Sequence, residues 1–289
     1  MTIPTKKLKS GFEIPVYGLG TWQMGGRETR NPENDDEADI QAIKSAIDLG
    51  VTHIDTAESY AQGYAEILVG KAIKGYDRSK LLIVSKAHAD HLAYDDLIHA
   101  AKESLKRLET TYLDLYLAHR YNPEIPVKET MRAMDTLMDE GLIRNIGVSN
   151  FNVEELQEAQ SYTKNKIVAN QLHLNLKYRE AQRKGLLEYC QQNDVMFIAW
   201  RPLQKSVLLT EKGHILDEMA HKYDATPAQI AINWLISLPN VVMLSKTRSI
   251  KHLKENLGAL EFKMSQEDID KLTNEYPDQQ DVSDTVPLH

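Results

Sequence analysis

The sequence predicts an α/β fold, a closed (β/α)8 TIM barrel preceded by a small N-terminal β-hairpin. Eight apolar, β-rich runs alternate with amphipathic helical patterns along the chain, which is the order of a repeated β/α unit. Several of these runs are apolar throughout, as is typical of parallel strands covered on both faces. A doubly wound open sheet is the alternative, but no G-x-G-x-x-G motif follows the first run.

The predicted strands follow from the positions of these apolar runs. Leu8–Val16, with Ser10-Gly11 at its centre, is predicted to form the hairpin ahead of the barrel. The barrel strands are then predicted at Val16–Gly20, Thr52–Asp55, Leu81–Ser85, Tyr112–Ala118, Ile143–Ser149, Val168–Leu172, Met196–Trp200 and Val241–Ser245.

Apolar residues at helical spacing predict helices between the strands. Asn152 and Glu155 have the spacing of a capping box, and Thr226 precedes a proline suited to the first position of a helix. The stripes are Ile40, Ile43 and Ile47 before Gly50; Leu97, Ala101, Leu105 and Leu108; and Val127, Met131, Met134 and Met138 before Gly141.

No linker, repeat or low-complexity segment divides the chain, so we expect residues 1–289 to form one domain. The polar tail after Pro277 is expected to be loosely held. Cys190 is the one cysteine, so an internal disulfide is impossible, and its apolar neighbours predict a buried, inert thiol.

Charge and hydropathy exclude several classes of function. The formal net charge is −8, and lysine and arginine are scattered, which argues against binding of nucleic acid or of an anionic membrane. The N-terminus has no apolar signal-like segment, and no apolar window is long enough to span a membrane. We therefore expect a soluble, cytoplasmic protein, with a monomer as the default.

Titratable residues stand at the ends of consecutive predicted strands, where barrels of this kind carry their active sites. Asp55 ends the second strand, Lys86 follows the third and His119 follows the fourth, with Tyr60 shortly after Asp55. Individually, such residues are usually helix caps, packed rings or solvated charges. Together, at one mouth of a barrel, they predict a catalytic site.

The pattern indicates a proton donor tuned by a cation. A free tyrosine titrates near 10, and an ammonium group nearby is expected to lower that pKa. Lys86 is the candidate cation, Asp55 would keep it charged and in place, and His119 would orient a substrate oxygen. A basic pocket is predicted separately, where Lys246, Thr247 and Arg248 precede a helix start and could bind a phosphate.

From roughly Leu8 to Tyr276 the sequence resembles the aldo-keto reductase family. The resemblance rests on the order and spacing of short motifs rather than on any one of them. These are GLGTW at 18–22, HIDTAESY at 53–60, VSK at 84–86, His119, GVSNF at 147–151, Asn170-Gln171 and SKTRSIKHLKENL at 245–257.

The resemblance implies reduction of aldehydes and ketones with NADPH or NADH, without a metal. By position, Tyr60 is the implied proton donor, with Asp55, Lys86 and His119 as partners. Trp200 would stack on the nicotinamide, and Lys246, Thr247 and Arg248 would hold the 2′-phosphate. The implied cofactor contacts are Thr21, Asp55, Ser149, Asn150, Gln171, Trp200, Arg201, Leu203, Lys246, Thr247, Arg248, His252, Glu255 and Asn256, and the substrate contacts are Trp22, Tyr60, His119 and Arg120.

The sequence departs from the family pattern at two of these positions. His252 stands where members that prefer NADPH commonly have arginine, so we predict NADPH as cofactor with NADH possible. Arg120 either attracts an anionic group on the substrate or, as we prefer, pairs with Glu58 or Asp90. No metal is expected at His88-x-x-His91.

Two functions from different classes remain open. The first is a carbonyl reductase acting on a small molecule, and the second is a cofactor-binding regulatory or structural protein on the same barrel. The enzyme is favoured because all four catalytic positions are filled.

Overall fold

The computed structural model describes residues 2–204, 208, 215–277 and 279–288. The described strands are β1 Thr5–Lys7, β2 Glu13–Pro15, β3 Tyr17–Gly20, β4 His53–Asp55, β5 Leu82–Ala87, β6 Leu115–Ala118, β7 Ile146–Ser149, β8 Ile167–His173, β9 Met196–Trp200 and β10 Val241–Ser245. The described α-helices are α1 Asp36–Asp48, α2 Tyr64–Ile73, α3 Tyr94–Arg107, α4 Val127–Asp139, α5 Val153–Ser161, α6 Glu180–Arg183, α7 Leu186–Gln192, α8 Ile215–Lys222, α9 Pro227–Ser237, α10 Ile250–Leu257 and α11 Gln266–Glu275.

Strands β3 to β10 form a closed parallel barrel, which confirms the predicted fold. Each strand pairs with the next along the chain, and β10 closes the barrel by pairing with β3, with Ser245 opposite Leu19. Strand β8 is buried at every residue, and β5 is buried from Ile83 to Ala87. Parallel strands must be apolar on both faces because side chains fill the barrel and helices cover it.

The predicted hairpin is confirmed, although it begins earlier than expected. Strands β1 and β2 pair antiparallel, with Thr5 opposite Pro15 and Lys7 opposite Glu13. The turn between them is closed by hydrogen bonds between Leu8 and Phe12 and from the Gly11 amide to Leu8. Lys6 and Lys7 carry no apolar signal, so the sequence pattern places the first strand too late.

Two barrel strands are shorter than predicted at their N-terminal ends. The runs Tyr112–Ala118 and Ile143–Ser149 continue into β6 and β7, but Leu113 and Ile143 form an isolated bridge instead of a ladder. Asp114 follows Leu113, and its carboxylate accepts a hydrogen bond from the Ile83 amide and pairs with arginine. A polar side chain therefore takes the place of regular pairing at this end of the barrel.

The predicted caps are confirmed. Asn152 accepts from the Glu155 amide and Glu155 from the Asn152 amide, and Thr226 and Gln229 are joined in the same way before α9. Each capping box satisfies amide groups that the first helical turn leaves without an intrahelical partner.

The polar tail is firmly anchored, so the expectation of a loosely held segment is wrong. Buried Glu180 accepts hydrogen bonds from the Ser283 amide at 2.7 Å and the Leu288 amide at 3.0 Å. The Arg179 amide donates to the Gln280 carbonyl at 2.9 Å. The anchor is polar, and for this reason a search for apolar stripes does not detect it.

Cys190 is fully buried, and burial raises the pKa of its thiol to about 12, as expected of an inert cysteine. None of the helices in the described part of the chain combines the length and apolarity that crossing a bilayer requires.

Candidate active site

The centre of the barrel mouth contains a buried ion pair. The Lys86 Nζ lies 2.6 Å from the Asp55 Oδ1, and the two side chains are 0% and 2% exposed. The same ammonium group donates to the Thr56 carbonyl at 2.7 Å. Gln171 donates from Nε2 to the other Asp55 oxygen at 2.8 Å. Because β4, β5 and β8 each contribute one of these side chains, closure of the barrel fixes the pair in place.

Tyr60 lies next to this pair and faces the mouth. Its hydroxyl is 3.3 Å from the Lys86 Nζ, which donates to it. The side chain is half-buried, with the Trp22 ring 4.9 Å and the His119 ring 5.7 Å from its own ring, centroid to centroid. The turn from Tyr60 to Gly63 carries the tyrosine, and Ala61 there has a φ of 51°.

The pKa of Tyr60 differs in direction from the sequence-based expectation. Burial raises it above its ordinary value, and Lys86 opposes that effect without overcoming it. For Lys86, burial lowers the pKa, but Asp55 and Tyr60 more than compensate and hold it above the usual range. The site therefore contains a charged ammonium group beside a protonated phenol. The expected lowering of the phenol pKa is wrong, because desolvation of the phenolate outweighs the attraction of one ammonium group.

His119 is neutral in this environment. Burial, with Lys86 and Arg120 in support, holds its pKa well below the ordinary value. Its Nδ1 lies 3.2 Å from the Ser59 Oγ. A neutral imidazole can donate or accept a hydrogen bond but brings no charge of its own, which suits orientation of a carbonyl oxygen.

The residues expected to hold the nicotinamide lie together at the ends of β7 and β8. Ser149 donates from Oγ to the Gln171 carbonyl at 2.9 Å and accepts from the Asn150 Nδ2 at 2.9 Å. Asn170 is buried, and its Oδ1 has no hydrogen-bond partner among the described residues. Neighbouring residues of a strand point to opposite faces, so Asn170 points away from the face on which Gln171 contacts Asp55, and its Nδ2 donates to the Phe151 carbonyl at 2.9 Å.

Trp200 ends β9 and is half-buried at the same mouth. The His173 ring stacks on it at 4.3 Å with an interplanar angle of 8°. Arg201 and Leu203 follow directly and are also half-buried. The Arg201 guanidinium pairs with Asp284 of the tail at 3.3 Å, so the tail reaches residues expected to contact the cofactor.

In the basic segment after β10, one cation is paired with a carboxylate and the other is not. Arg248 pairs with the fully buried Asp39, donating from Nε at 2.5 Å and from Nη2 at 2.9 Å. Lys246 makes no ion pair with any carboxylate of the described residues, and both cations line a cavity of about 540 Å³. Partial burial and Arg248 lower the pKa of Lys246.

The other expected cofactor contacts are placed less directly. Thr21 is buried and donates its hydroxyl to the Asp55 carbonyl at 3.0 Å. Thr247 accepts from the Ser249 amide at the start of α10, and His252 is exposed one turn later. The remaining two lie at the end of α10: Glu255 is half-buried, and the buried Asn256 donates to Ser245 at 3.2 Å.

Arg120 does not pair with Glu58 or Asp90, so that preferred interpretation is wrong. Glu58 instead accepts from the His88 amide and pairs with His91 at 2.9 Å. Asp90 lies 3.6 Å from the His88 ring. Arg120 is exposed beside His119, with no ion pair to a carboxylate in the described ranges. Those ranges contain no group of three or more potential metal ligands.

Comparison with known proteins agrees with this geometry. The aldo/keto reductase family model matches residues 17–276. Methylglyoxal reductase YeaE of Escherichia coli is 35% identical over 268 residues, covering 91% of this chain and 92% of its own. Glyoxal reductase of Bacillus subtilis is 35% identical over 270 residues, covering 93% and 91%.

Solved structures of similar proteins share the whole barrel. The thermostable aldo-keto reductase Tm1743 superposes with a TM-score of 0.90 at 46% identity, covering 94% of this chain and 99% of that one. An aldo-keto reductase from Klebsiella pneumoniae in complex with NADPH gives a TM-score of 0.86 at 35% identity, covering 99% of both chains.

The chain belongs to the aldo/keto reductase family. As a member, it is an NAD(P)H-dependent oxidoreductase, and its cofactor is a nicotinamide dinucleotide. In this reductase the four residues expected from the sequence to be catalytic lie together at the C-terminal mouth of the barrel.

Sequence reasoning missed three features of this reductase. Asp39 ties Arg248 to the loop after β3, Arg27 and Arg30 line the cavity opposite Lys246, and Ser283 of the tail bonds to His173 at 2.8 Å. For Arg27 and Arg30, the sequence does contain a signal: a Gly25-Gly26 turn followed by two arginines. That these arginines lie near Lys246 follows only if β10 and β3 are neighbours, which closure of the barrel requires.

Proposed function

We propose that this reductase converts small aldehydes and ketones to alcohols with NADPH, and that Tyr60 is the proton donor. The observation that carries the proposal is the continuous chain of contacts from Gln171 through Asp55 and Lys86 to the Tyr60 hydroxyl. Such a chain controls the charge and position of one phenol that is half-buried at the barrel mouth. The relatives named as methylglyoxal and glyoxal reductases support small carbonyl compounds as the substrate class.

Proton transfer is assigned to Tyr60 because its pKa keeps it protonated at neutral pH. The nicotinamide, when bound, supplies the hydride that the carbonyl carbon accepts. As negative charge develops on the carbonyl oxygen, the phenol O–H bond breaks and its proton passes to that oxygen. Lys86 then stabilises the resulting phenolate, and Asp55 holds the ammonium group in place.

His119 is assigned the orientation of the substrate. Its Nδ1 is next to Ser59, which leaves Nε2 available for a hydrogen bond to the carbonyl oxygen. Its low pKa favours the neutral ring, so it does not compete with Tyr60 as a proton donor at neutral pH. Trp22, in edge contact with the Tyr60 ring, would form the neighbouring wall for substrate.

The chain's own residues suit a nicotinamide dinucleotide. Ser149, Asn150 and Gln171 would hold the carboxamide, and the hydrogen bond from Gln171 to Asp55 places that pocket beside Tyr60. Lys246, without an acidic partner in the described residues, supports a 2′-phosphate contact and hence NADPH. Arg248 is already paired and His252 is exposed, so discrimination against NADH rests mainly on Lys246. NADH kinetics equal to or better than NADPH kinetics would contradict this preference.

The decisive experiment removes the Tyr60 hydroxyl and keeps its ring. NADPH oxidation is followed with methylglyoxal, glyoxal and an aromatic aldehyde for the wild type, Tyr60→Phe and the control Tyr162→Phe, which alters an exposed tyrosine. Loss of a general acid costs about 100-fold or more in turnover. We expect that loss for Tyr60→Phe with NADPH affinity retained, and no change for the control.

Two results would count against the proposal. Full turnover by Tyr60→Phe would show that another group donates the proton. Tight binding of NADPH by the wild type without turnover of any carbonyl compound would favour a regulatory or structural role for the barrel.

A further inference from the structure

We infer that the loop of residues 23–34 forms the second wall of the dinucleotide site and that Arg27 binds the cofactor pyrophosphate. This inference rests on the proposed function and adds a phosphate ligand from the opposite side of the groove. The loop follows β3, whereas the basic segment with Lys246 follows β10. Because β10 and β3 pair in the closed barrel, the two segments lie side by side at its mouth.

The cavity between these segments lies where the middle of a dinucleotide must pass. Trp200 and Tyr60 border the mouth at β9 and after β4, on either side of the β10–β3 pair. A cofactor whose nicotinamide lies between them and whose adenine reaches α10 crosses that pair. The cavity of about 540 Å³ found there is lined by Gly26, Arg27 and Arg30 of the loop and by Lys246 and Arg248 of the basic segment.

The charges around the cavity leave two cations for an anionic ligand. Arg30 pairs with Asp36 at 2.9 Å, and Arg248 pairs with Asp39. The Arg27 side chain is exposed and, like that of Lys246, has no hydrogen bond or ion pair with a described residue. The protein as a whole carries a net charge of −8, yet this cavity faces two cations without acidic partners. Phosphate groups of a ligand would neutralise them.

The loop is held rigidly enough to present Arg27 at a fixed position. The Gly25 amide donates to the Asp39 carboxylate at 3.0 Å, and the Asn31 amide donates to the Gly25 carbonyl at 2.9 Å. Gly26 has a φ of 145°, and a Cβ there would lie 2.1 Å from the Thr29 carbonyl oxygen. A preformed turn loses little conformational entropy when Arg27 binds a ligand.

Contact with the Tyr60 turn favours the pyrophosphate over the 2′-phosphate. The Arg27 carbonyl accepts a hydrogen bond at 2.7 Å from the amide of Ala61, the residue after Tyr60. This places Arg27 towards the catalytic end of the groove, whereas Lys246 leads into α10 at the adenine end. Capture of the pyrophosphate by Arg27 would also restrain the turn that carries the proton donor.

The test compares dissociation constants for NADPH and NADH, measured by quenching of intrinsic fluorescence. The variants are Arg27→Gln, Lys246→Gln and the control Lys128→Gln, which removes an exposed cation of α4. Because both cofactors carry the pyrophosphate, we expect Arg27→Gln to weaken both by the same factor, about tenfold or more. Lys246→Gln should weaken NADPH more than NADH, and the control should change neither.

The possible failures are distinguishable. Wild-type affinity of Arg27→Gln for both cofactors overturns the inference and leaves the proposed function intact. A loss confined to NADPH assigns Arg27 to the 2′-phosphate and overturns the pyrophosphate contact. Absence of any NADPH binding by the wild type overturns the proposed function as well. Thermal unfolding of each variant shows that it is folded, which we expect because Arg27 is exposed.

Discussion

The proposed role of Tyr60 as an acid depends on the balance between desolvation and one fixed cation. The half-buried phenol loses solvation that its anion would need, which raises its pKa, while Lys86 opposes the change from 3.3 Å. A reductase requires a donor that keeps its proton until the carbonyl oxygen becomes basic. A raised pKa meets this need, and the nearby ammonium group limits the cost of forming the phenolate.

The convergence of these residues at one mouth of the barrel could be predicted from the sequence, but the net direction of the Tyr60 pKa shift could not. Asp55, Lys86 and His119 stand at strand ends, and strand ends converge in a barrel whatever the details of packing. The sign of the shift depends on how deeply one ring is buried. Trp22 and His119, both in edge contact with the Tyr60 ring, contribute to that burial, and their contacts are tertiary.

Arg120 offers a prediction about substrate charge. It is exposed beside His119 and has no acidic partner in the described residues, so its guanidinium is available to a carboxylate or phosphate on the substrate. We expect Arg120→Ala to raise KM for an anionic aldehyde such as glyoxylate about tenfold and to change KM for methylglyoxal little.

Paired assays of these two substrates with the wild type and Arg120→Ala measure the effect. Arg120→Lys serves as a control that keeps the charge and should recover part of the loss for glyoxylate. Equal changes in KM for the anionic and neutral substrates would exclude a role for Arg120 in charge recognition.

At the scale of single elements, irregular segments hold the site together. The turn Tyr60–Gly63 contains left-handed backbone at Ala61 and Gln62, and hydrogen bonding to the loop after β3 fixes it. Non-glycine residues seldom adopt this conformation without support from surrounding structure. Helices and strands have periodic sequence signals, whereas turns of this kind have none. The sequence therefore predicts Tyr60 as a site residue but not the loop contacts that hold its turn.

The anchoring of the C-terminal tail is likewise not predictable from sequence patterns. Its residues are polar, and polarity alone indicates a loosely held segment. Their partners are the buried carboxylate of Glu180 and the His173 ring, neither of which is recognisable as an anchor in the sequence. Anchoring by polar groups can be recognised only when the positions of the tail and of its partners in the barrel are both known.

Glu180 should therefore control the order of the tail. In Glu180→Ala, the buried amides of Ser283 and Leu288 lose their acceptor, at a cost of about 1–3 kcal/mol for each unsatisfied group. We expect faster hydrogen exchange at residues 279–288 in this variant and a lower midpoint of thermal unfolding.

The control for the tail is Glu188→Ala, which removes an exposed carboxylate of the neighbouring helix α7. Hydrogen exchange followed by mass spectrometry compares the two variants with the wild type. Unchanged protection of the tail in Glu180→Ala would show that its other contacts, including Gln280 with Arg179, are sufficient to hold it.

At the scale of the whole molecule, closure of the barrel creates contacts between distant parts of the chain. The pairing of β10 with β3 brings Arg248 to Asp39 and places Lys246 opposite Arg27. The alternation of strands and helices predicts that closure occurs, and so predicts the neighbouring segments. It does not predict which side chains pair, because that depends on the loop conformations. Arg248, for which the family resemblance implies a phosphate contact, pairs with the carboxylate of Asp39.

The pH dependence of stability is a second property of the whole molecule. His53 and His173 are buried, and burial lowers the pKa of His53 to about 3 and that of His173 to about 4. In the unfolded chain these rings titrate at about 6.5, so below that pH the unfolded state binds more protons than the folded state.

The stabilisation from a neutral, buried His173 is therefore complete above about pH 6.5 and is lost as the pH falls towards about 4. In that window each such ring contributes a slope of up to about 1.4 kcal/mol per pH unit to the free energy of unfolding. We expect chemical denaturation to give a lower free energy of unfolding at pH 5 than at pH 7.

The variant His173→Gln tests the contribution of this ring. It should reduce the pH dependence of the free energy of unfolding by about the slope of one such ring, whereas the control His99→Gln, on the exposed face of α3, should leave that dependence unchanged. An identical pH dependence for wild type and His173→Gln would show that the pKa of His173 is the same in the folded and the unfolded protein, since only a difference between the two contributes to this slope.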